Sequence, residues 1–324
     1  MFDCFKKFFE YSIIFFFILT LNFFIPRLMP GDPFTFLSSD EGGVHQSYSE
    51  EQIEMYKAYY GMDKPLQVQY SDYFKNLIRG NLGYSIYYND NVLRLILRSA
   101  KWTLGITLIS LLISTIMGTI LGSLSAWYRN SIVDRGLYPV MILLSEIPAF
   151  LMAILLLFTL AAKSSLFPLS GGITVFGEYE TWFDKLLDVL HHGFLPSLSL
   201  TLSQLGGFYL LARNSMITVI SKDYMRTALA KGLSSKRIIL RHGLRNSILP
   251  IITRVFMSLG SVLGGAILVE NVFNYPGLGR LMREAVTVRD YVLIQGIFLV
   301  VAFLVLAMNL LADVLYKKID PRVG

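Results

Sequence analysis

The sequence predicts an all-α, polytopic membrane protein with six transmembrane helices. An extracytoplasmic helical segment lies between spans 1 and 2, and a cytoplasmic helical loop between spans 4 and 5. Three observations carry this. Of 324 residues, 54% are hydrophobic and only 16% charged, against about one quarter charged in a soluble domain. The apolar residues gather into runs of the roughly 20 residues that cross a bilayer. The basic residues concentrate between two of those runs.

The first run covers about Phe8 to Leu28, the second Trp102 to Trp127 and the third about Leu137 to Ala162. A fourth, weaker run covers Phe194 to Ile220 and contains Gln204, Gly206, Gly207 and Arg213; the fifth covers about Ser247 to Val269 and the sixth Tyr291 to Tyr316. Lys6 and Lys7 precede the first run as in a signal peptide. That run is too long for one and no small-x-small cleavage site follows, so it reads as a retained anchor. The chain then divides into an anchor span at 1–29, an extracytoplasmic helical segment at 30–100 and a five-span core at 101–324.

Charge sets the sidedness. Residues 213–246 carry eight basic groups (Arg213, Lys222, Arg226, Lys231, Lys236, Arg237, Arg241 and Arg245) against one acid, Asp223, whereas residues 163–193 carry two basic groups against four acids. Positive loops stay in the cytoplasm, which places the 213–246 loop and both termini inside. The net charge of +6 therefore reports topology, with no nucleic acid implied. The single cysteine, Cys4, excludes a disulfide framework.

The 30–100 segment has helical patterning. Ser49 and Gln52 fit a capping box before Ile53, Tyr56 and Tyr60. Asp63 and Pro65 start a second helix with Leu66, Tyr70, Tyr73, Phe74 and Leu77 on one face. Thr181 caps a short helix bearing Phe183, Leu186, Leu187 and Leu190, suited to the outer interface. Within the spans, Gly118 with Gly122, and Gly260 with Gly264 and Gly265, have the spacing that lets helices approach closely.

Enzyme signatures are missing. No phosphate-binding Gly-x-x-x-x-Gly-Lys-Ser/Thr run occurs, nor His-Glu-x-x-His or Gly-x-Ser-x-Gly. The adjacent His191 and His192 read as interfacial polar surface. Two ionisable residues stand inside spans, Glu146 about nine residues into the third and Arg254 about seven into the fifth. At 1.5 Å per residue their depths differ by only about 3 Å. Such charges normally face a partner or a watery cavity, so either both face the interior, paired or lining a substrate path, or Arg254 snorkels to the cytoplasmic surface and Glu146 is carried neutral.

The 221–250 stretch is the most specific part of the chain. Ser221 caps a short helix over Asp223-Tyr224-Met225-Arg226-Thr227-Ala228-Leu229-Ala230-Lys231, which Gly232 ends. A second helix starts at Ser235 and runs through Arg241 and Arg245 until Pro250 opens the fifth span. Two helices around a glycine turn make a rigid basic knob, which serves either to set topology or to dock a partner.

Arg226-Thr227-Ala228, three residues and Gly232 resemble the Glu-Ala-Ala-x-x-x-Gly loop of ABC importer permeases, and His242-Gly243-Leu244-Arg245-Asn246-Ser247-Ile248-Leu249-Pro250 resembles their oligopeptide, dipeptide and nickel branch. The likeness covers nearly the whole chain: Met29-Pro30-Gly31-Asp32-Pro33, Gly61-Met62-Asp63-Lys64-Pro65-Leu66, Gly80-Asn81-Leu82-Gly83-x-Ser85, Glu270-Asn271-Val272-Phe273-Asn274-Tyr275-Pro276-Gly277-Leu278-Gly279 and Asp320-Pro321-Arg322. Arg226 stands where the generic loop has Glu, and Glu146 and Arg254 stand where apolar residues are expected.

The resemblance implies a permease subunit of a binding-protein-dependent, ATP-driven importer in a bacterial or archaeal cytoplasmic membrane, with no cofactor and no ATPase site of its own. Its implied partners are a second homologous permease, two cytoplasmic ATP-binding subunits and an extracytoplasmic solute-binding protein. It implies that Asp223, Tyr224, Arg226, Thr227, Ala228, Lys231 and Gly232 couple to the ATPase, with Ala228 and Gly232 small for close approach. Peptides are the implied cargo, with oligosaccharides and nickel chelates as alternatives. A stand-alone secondary transporter and a non-transporting membrane protein remain as readings of a different class.

Overall fold

The computed structural model describes residues 2–28, 50–59 and 61–319. The helices in chain order are α1 (Phe2–Arg27), α2 (Glu50–Tyr59), α3 (Leu66–Ile78), α4 (Val92–Trp127), α5 (Ile132–Glu146), α6 (Ala149–Leu156), α7 (Trp182–Ile220), α8 (Asp223–Ala230), α9 (Ser235–Arg237), α10 (Arg245–Val272), α11 (Leu278–Thr287) and α12 (Tyr291–Ile319). Wide π-helical turns, Leu157–Lys163 and Ile238–Leu244, follow α6 and α9. Among the described residues there is no strand beyond an isolated bridge between Tyr84 and Asn91. The expected Ser49 cap, Tyr60, the 29–33 motif and the 320–322 ending lie outside the described residues.

Among the described residues, four helices are long and apolar enough to cross a membrane, or six if each of two bent pairs counts as one span. The third expected span is such a pair. Instead of one helix from Leu137 to Ala162, α5 stops at Glu146 and the chain turns by 104° before α6. The break falls before Pro148, which disfavours the helical conformation at the preceding residue; Ile147 is extended at φ −82 and ψ 118.

The fourth expected span also differs. Thr181 forms a capping box, accepting from the Asp184 N–H at 3.2 Å while Asp184 accepts from the Thr181 N–H at 2.9 Å. The helix it starts does not end at the interface. It continues for 39 residues as α7, about 58 Å at 1.5 Å per residue. The second span likewise begins early, at Val92, where Asn91 Oδ1 accepts from the N–H groups of Leu93 and Arg94 at 3.0 and 3.3 Å.

The chain folds as two compact units. The first comprises Met1–Lys101 and Gly277–Leu306. In it α3 lays its aromatic face on α1, with Phe23 5.1 Å from Tyr70 and 5.6 Å from Tyr73 between ring centres. Polar links add to this: Thr20 and Tyr70 share a 2.9 Å hydroxyl bond between α1 and α3, and Asn22 Nδ2 of α1 donates to the Gln295 carbonyl of α12 at 2.8 Å. Val92, Ile96, Leu281, Ala285, Leu293, Ile294 and Ile297 form its core. Buried Asp290 ties the loop before α4 to the start of α12, accepting from Ser85 Oγ at 2.5 Å, the Tyr87 N–H at 3.1 Å and the Leu293 N–H at 3.0 Å.

The second unit comprises Trp102–Pro276 and Ala307–Gly324. Its core joins α6, α7 and α10 through Ala153, Leu156, Leu195, Leu200, Ala266 and Val269. Close helix approach occurs where small residues sit. A Cβ added at Gly122 would lie 2.4 Å from the Tyr209 carbonyl oxygen, and one at Gly206 would lie 2.2 Å from that of Met141. The Gly118 and Gly122 pair therefore packs as expected. Gly264 does not: a Cβ there meets open space among the described residues, and one at Gly265 only touches Leu200 at 4.0 Å.

Candidate functional site

The short helix α8 follows α7 after two residues, and its amphipathic pattern fixes which face points where. Ser221 is not its cap; the Ser221 hydroxyl turns back to donate to the Thr218 carbonyl at 2.9 Å, closing α7. Met225 and Ala228 point inward and are buried with Val219 and Ile238, packed by Trp127, Ile220 and Leu233. One apolar cluster thus ties α8 to the ends of α4 and α7 and to the helical stretch beginning at Ser235. The opposite face carries Asp223, Tyr224, Arg226 and Thr227, all exposed.

The exposed face has little internal bonding. Arg226 and Asp223 approach at 3.9 Å with both side chains open to solvent, a separation at which an exposed pair contributes little. Thr227 Oγ1 donates to the Asp223 carbonyl at 3.1 Å. Lys231 is exposed. Gly232 follows with φ +69, and a Cβ there would meet nothing within 4 Å. The two small residues thus have different local reasons: Ala228 fits its own cluster, whereas Gly232 supplies a left-handed backbone.

The two charges expected inside spans, Glu146 and Arg254, lie on different helices. Among the described residues no ion pair joins Glu146 to Arg254. Glu146 is the last residue of α5, at the bend, and is exposed. Arg254 lies on α10 with its guanidinium 5.6 Å from the Phe208 ring centre, against Gly207, where a Cβ would come within 2.7 Å of Nη2. It lines an open cavity of about 190 Å³ together with Leu200, Ser203, Gln204, Ser258 and Gly265.

These features have counterparts in known proteins. Residues 118–324, which contain α7, α8 and α10, match the family described as the inner membrane component of binding-protein-dependent transport systems. The chain belongs to that family. This permease is similar to the oligopeptide transport system permease protein AppB of Bacillus subtilis, 33% identical over 94% of each chain. It is also similar to the di/tripeptide transport system permease protein DppB of Pseudomonas aeruginosa, 32% identical over 95% of this chain and 94% of that one. The glutathione transport system permease protein GsiC of Escherichia coli is 33% identical over 95% of this chain and 94% of its own. Among solved structures, the MetNI methionine ABC transporter in inward-facing conformation shares the fold, with a TM-score of 0.53 at 15% identity over 70% of this chain and 97% of that one.

The permease also contains a polar network that charge counting along the chain misses. Arg213 belongs to α7 and not to the basic loop, which leaves seven basic groups there. Its guanidinium holds Asp134 of α5 in a two-bond fork, Nε to Oδ1 and Nη2 to Oδ2, each 3.1 Å. Ser125 of α4 donates to Asp134 and shares a 2.6 Å hydroxyl bond with Tyr209, and the Tyr138 ring lies 4.5 Å from the guanidinium. Three helices are joined at this one point. The available signal was a lone Arg inside a weak span with an acid just ahead of the preceding one. The histidines have local partners: His191 Nε2 lies 3.1 Å from the Leu166 carbonyl, and His192 Nδ1 lies 3.0 Å from that of Asp188. Among the described residues no group of three or more His, Cys, Asp or Glu is placed to hold a metal ion.

Proposed function

We propose that this chain is one of two permease subunits of an ATP-driven importer of di- or oligopeptides, sited in a bacterial or archaeal cytoplasmic membrane with both termini inside. The second permease is a different, homologous chain. Two cytoplasmic ATP-binding subunits hydrolyse ATP, and an extracytoplasmic binding protein delivers the solute. The peptide assignment draws on the relatives, whose names specify oligopeptide, di/tripeptide and glutathione transport.

One observation carries the coupling role. The inner face of α8 is anchored in a single apolar cluster with the ends of α4 and α7 and with Ile238, while its outer face is free. A push on Tyr224, Arg226 or Thr227 is then transmitted as displacement of those helix ends, because packed apolar contacts resist compression. Asp223, Tyr224, Arg226, Thr227 and Lys231 form the surface presented to the ATPase, and Gly232 sets its edge. Arg254, exposed on α10 beside an open cavity, lines the solute path, and Glu146 marks the bend at its flank.

The test is reconstitution of the complete importer in proteoliposomes, with labelled tripeptide uptake and ATP hydrolysis read in parallel. Gly232→Trp is expected to lower uptake while the protein remains in the membrane and the ATPase continues to turn over. Normal uptake by that variant, or failure of any ATPase subunit to co-purify with the wild-type chain, would overturn the coupling assignment. Arg254→Ala is expected to lower uptake with α8 and the assembled complex intact; unchanged transport would remove Arg254 from the path.

A further inference from the structure

We propose that the first unit binds the phosphate-bearing headgroup of an anionic phospholipid in a cavity of about 350 Å³ beside Arg27. Arg27 is the last residue of α1, at the end of a helix apolar enough to cross the bilayer. Its guanidinium lies 3.7 Å from the Phe23 ring centre. Nη1 donates to the Phe23 carbonyl at 2.8 Å and Nε to Gln69 Oε1 at 3.1 Å. These contacts fix the plane of the group and leave Nη2 without a bond among the described residues. No carboxylate there pairs with it. A half-buried cation that no described carboxylate offsets is costly, and an anion in the cavity lowers that cost.

The rest of the lining favours the same ligand. The other charged groups, Lys64 and Asp72, neutralise each other at 3.1 Å, so Arg27 sets the sign. The Asn76 amide and the Tyr84 hydroxyl also line the cavity and have no side-chain partner among the described residues, which makes them donors for phosphate or glycerol oxygens.

Shape separates a lipid from a free anion. The lining follows α12 through Tyr291, Val292, Gln295 and Gly296 to Leu299, about 12 Å at 1.5 Å per residue, from a tyrosine at the helix start to an apolar end at Leu299. Tyrosines are favoured where a bilayer meets water. Beside Arg27, the apolar side chains of Phe24 and Ile25 at the end of α1 and of Leu28 just beyond it are exposed, where acyl chains can lie. A phosphate ion or a peptide carboxylate would use Arg27 but not this apolar foot.

Native mass spectrometry of the purified full chain, after exchange into phosphatidylglycerol or phosphatidylcholine micelles, tests the site. One retained phosphatidylglycerol per chain is expected, with phosphatidylcholine lost. Arg27→Gln is expected to reduce phosphatidylglycerol retention about tenfold, the scale of a charged hydrogen bond, and Arg27→Lys to restore part of it. If Arg27→Gln does not fold, Asn76→Leu and Tyr84→Phe at the cavity wall give the same readout, each with a smaller loss. Equal retention of the two lipids, or unchanged retention in every variant that folds, would overturn the proposal. So would displacement of the lipid by excess inorganic phosphate or by a tripeptide, which would assign the cavity to a soluble anion.

Discussion

Replacing Asp134 by Ala should destabilise the protein by about 3–5 kcal/mol, the cost of stranding one member of a buried ion pair. The two side chains are only 5% and 12% exposed, so solvent does little to screen the loss. Without the carboxylate, Arg213 keeps the Ser125 hydroxyl at 3.1 Å and the Tyr138 ring, neither of which carries an opposite charge. The reverse change, Arg213→Met, is expected to cost less, about 1–3 kcal/mol. Asp134 then still accepts from Ser125 and from the Asn130 N–H at 3.0 Å. The double variant should lie well above the sum of the singles, with a coupling of about 2 kcal/mol, or roughly thirtyfold in the folding equilibrium. Denaturant unfolding of the four proteins in mixed micelles, followed by tryptophan fluorescence, measures the cycle. A coupling near zero, or Arg213→Met more damaging than Asp134→Ala, would refute the reasoning that the pair is held as a desolvated unit.

Gly206→Val should separate α5 from α7, since even a Cβ would sit 2.2 Å from the Met141 carbonyl oxygen; a loss of at least about 3 kcal/mol is expected in the same unfolding assay, and wild-type stability would contradict the close approach. Gly232→Asn should retain uptake, because Asn tolerates a left-handed φ, whereas Gly232→Val should lower it at equal protein level, because a β-branched residue is strained by about 1–2 kcal/mol there. At Glu284, burial pushes the carboxyl pKa up, but hydrogen bonds from Tyr88 and Arg280 outweigh it and leave the value below the usual range. Its contribution to stability is therefore complete above the unfolded carboxylate range and is lost as pH falls through the lower folded value. Glu284→Gln should flatten that acid limb in a pH series of melting temperatures, and an unchanged limb would remove the effect from this residue.

The sequence alone was sufficient wherever a local signal decides. Apolar runs marked the helices long and apolar enough to cross a membrane, because a segment crossing hydrocarbon must be apolar whatever its neighbours. Thr181 before α7, Pro65 before α3 and Gly232 after α8 announced helix ends, since caps and backbone preferences depend on a few adjacent residues. The order of motifs from 61 to 279 carried the family. Where two local signals competed, the pattern misled. Pro148 interrupts a run that hydropathy reads as continuous, and nothing stops α7 between its interfacial start and its span. Ser221 serves the helix behind it, donating to the Thr218 carbonyl.

Tertiary structure decided what depends on partners far apart in the chain. Arg213 looks like one more loop charge until α5 brings Asp134 to it across 79 positions. Glu146 and Arg254 are placed at similar depth by counting, but counting along a helix does not say what each side chain touches: Arg254 lies by the Phe208 ring and Glu146 at the end of α5. Gly118 and Gly264 share a motif spacing, yet one meets Phe208 and the other open space. Composition and spacing determine which surfaces a helix can offer, whereas only packing determines which are covered, because burial is a property of pairs of elements rather than of either one.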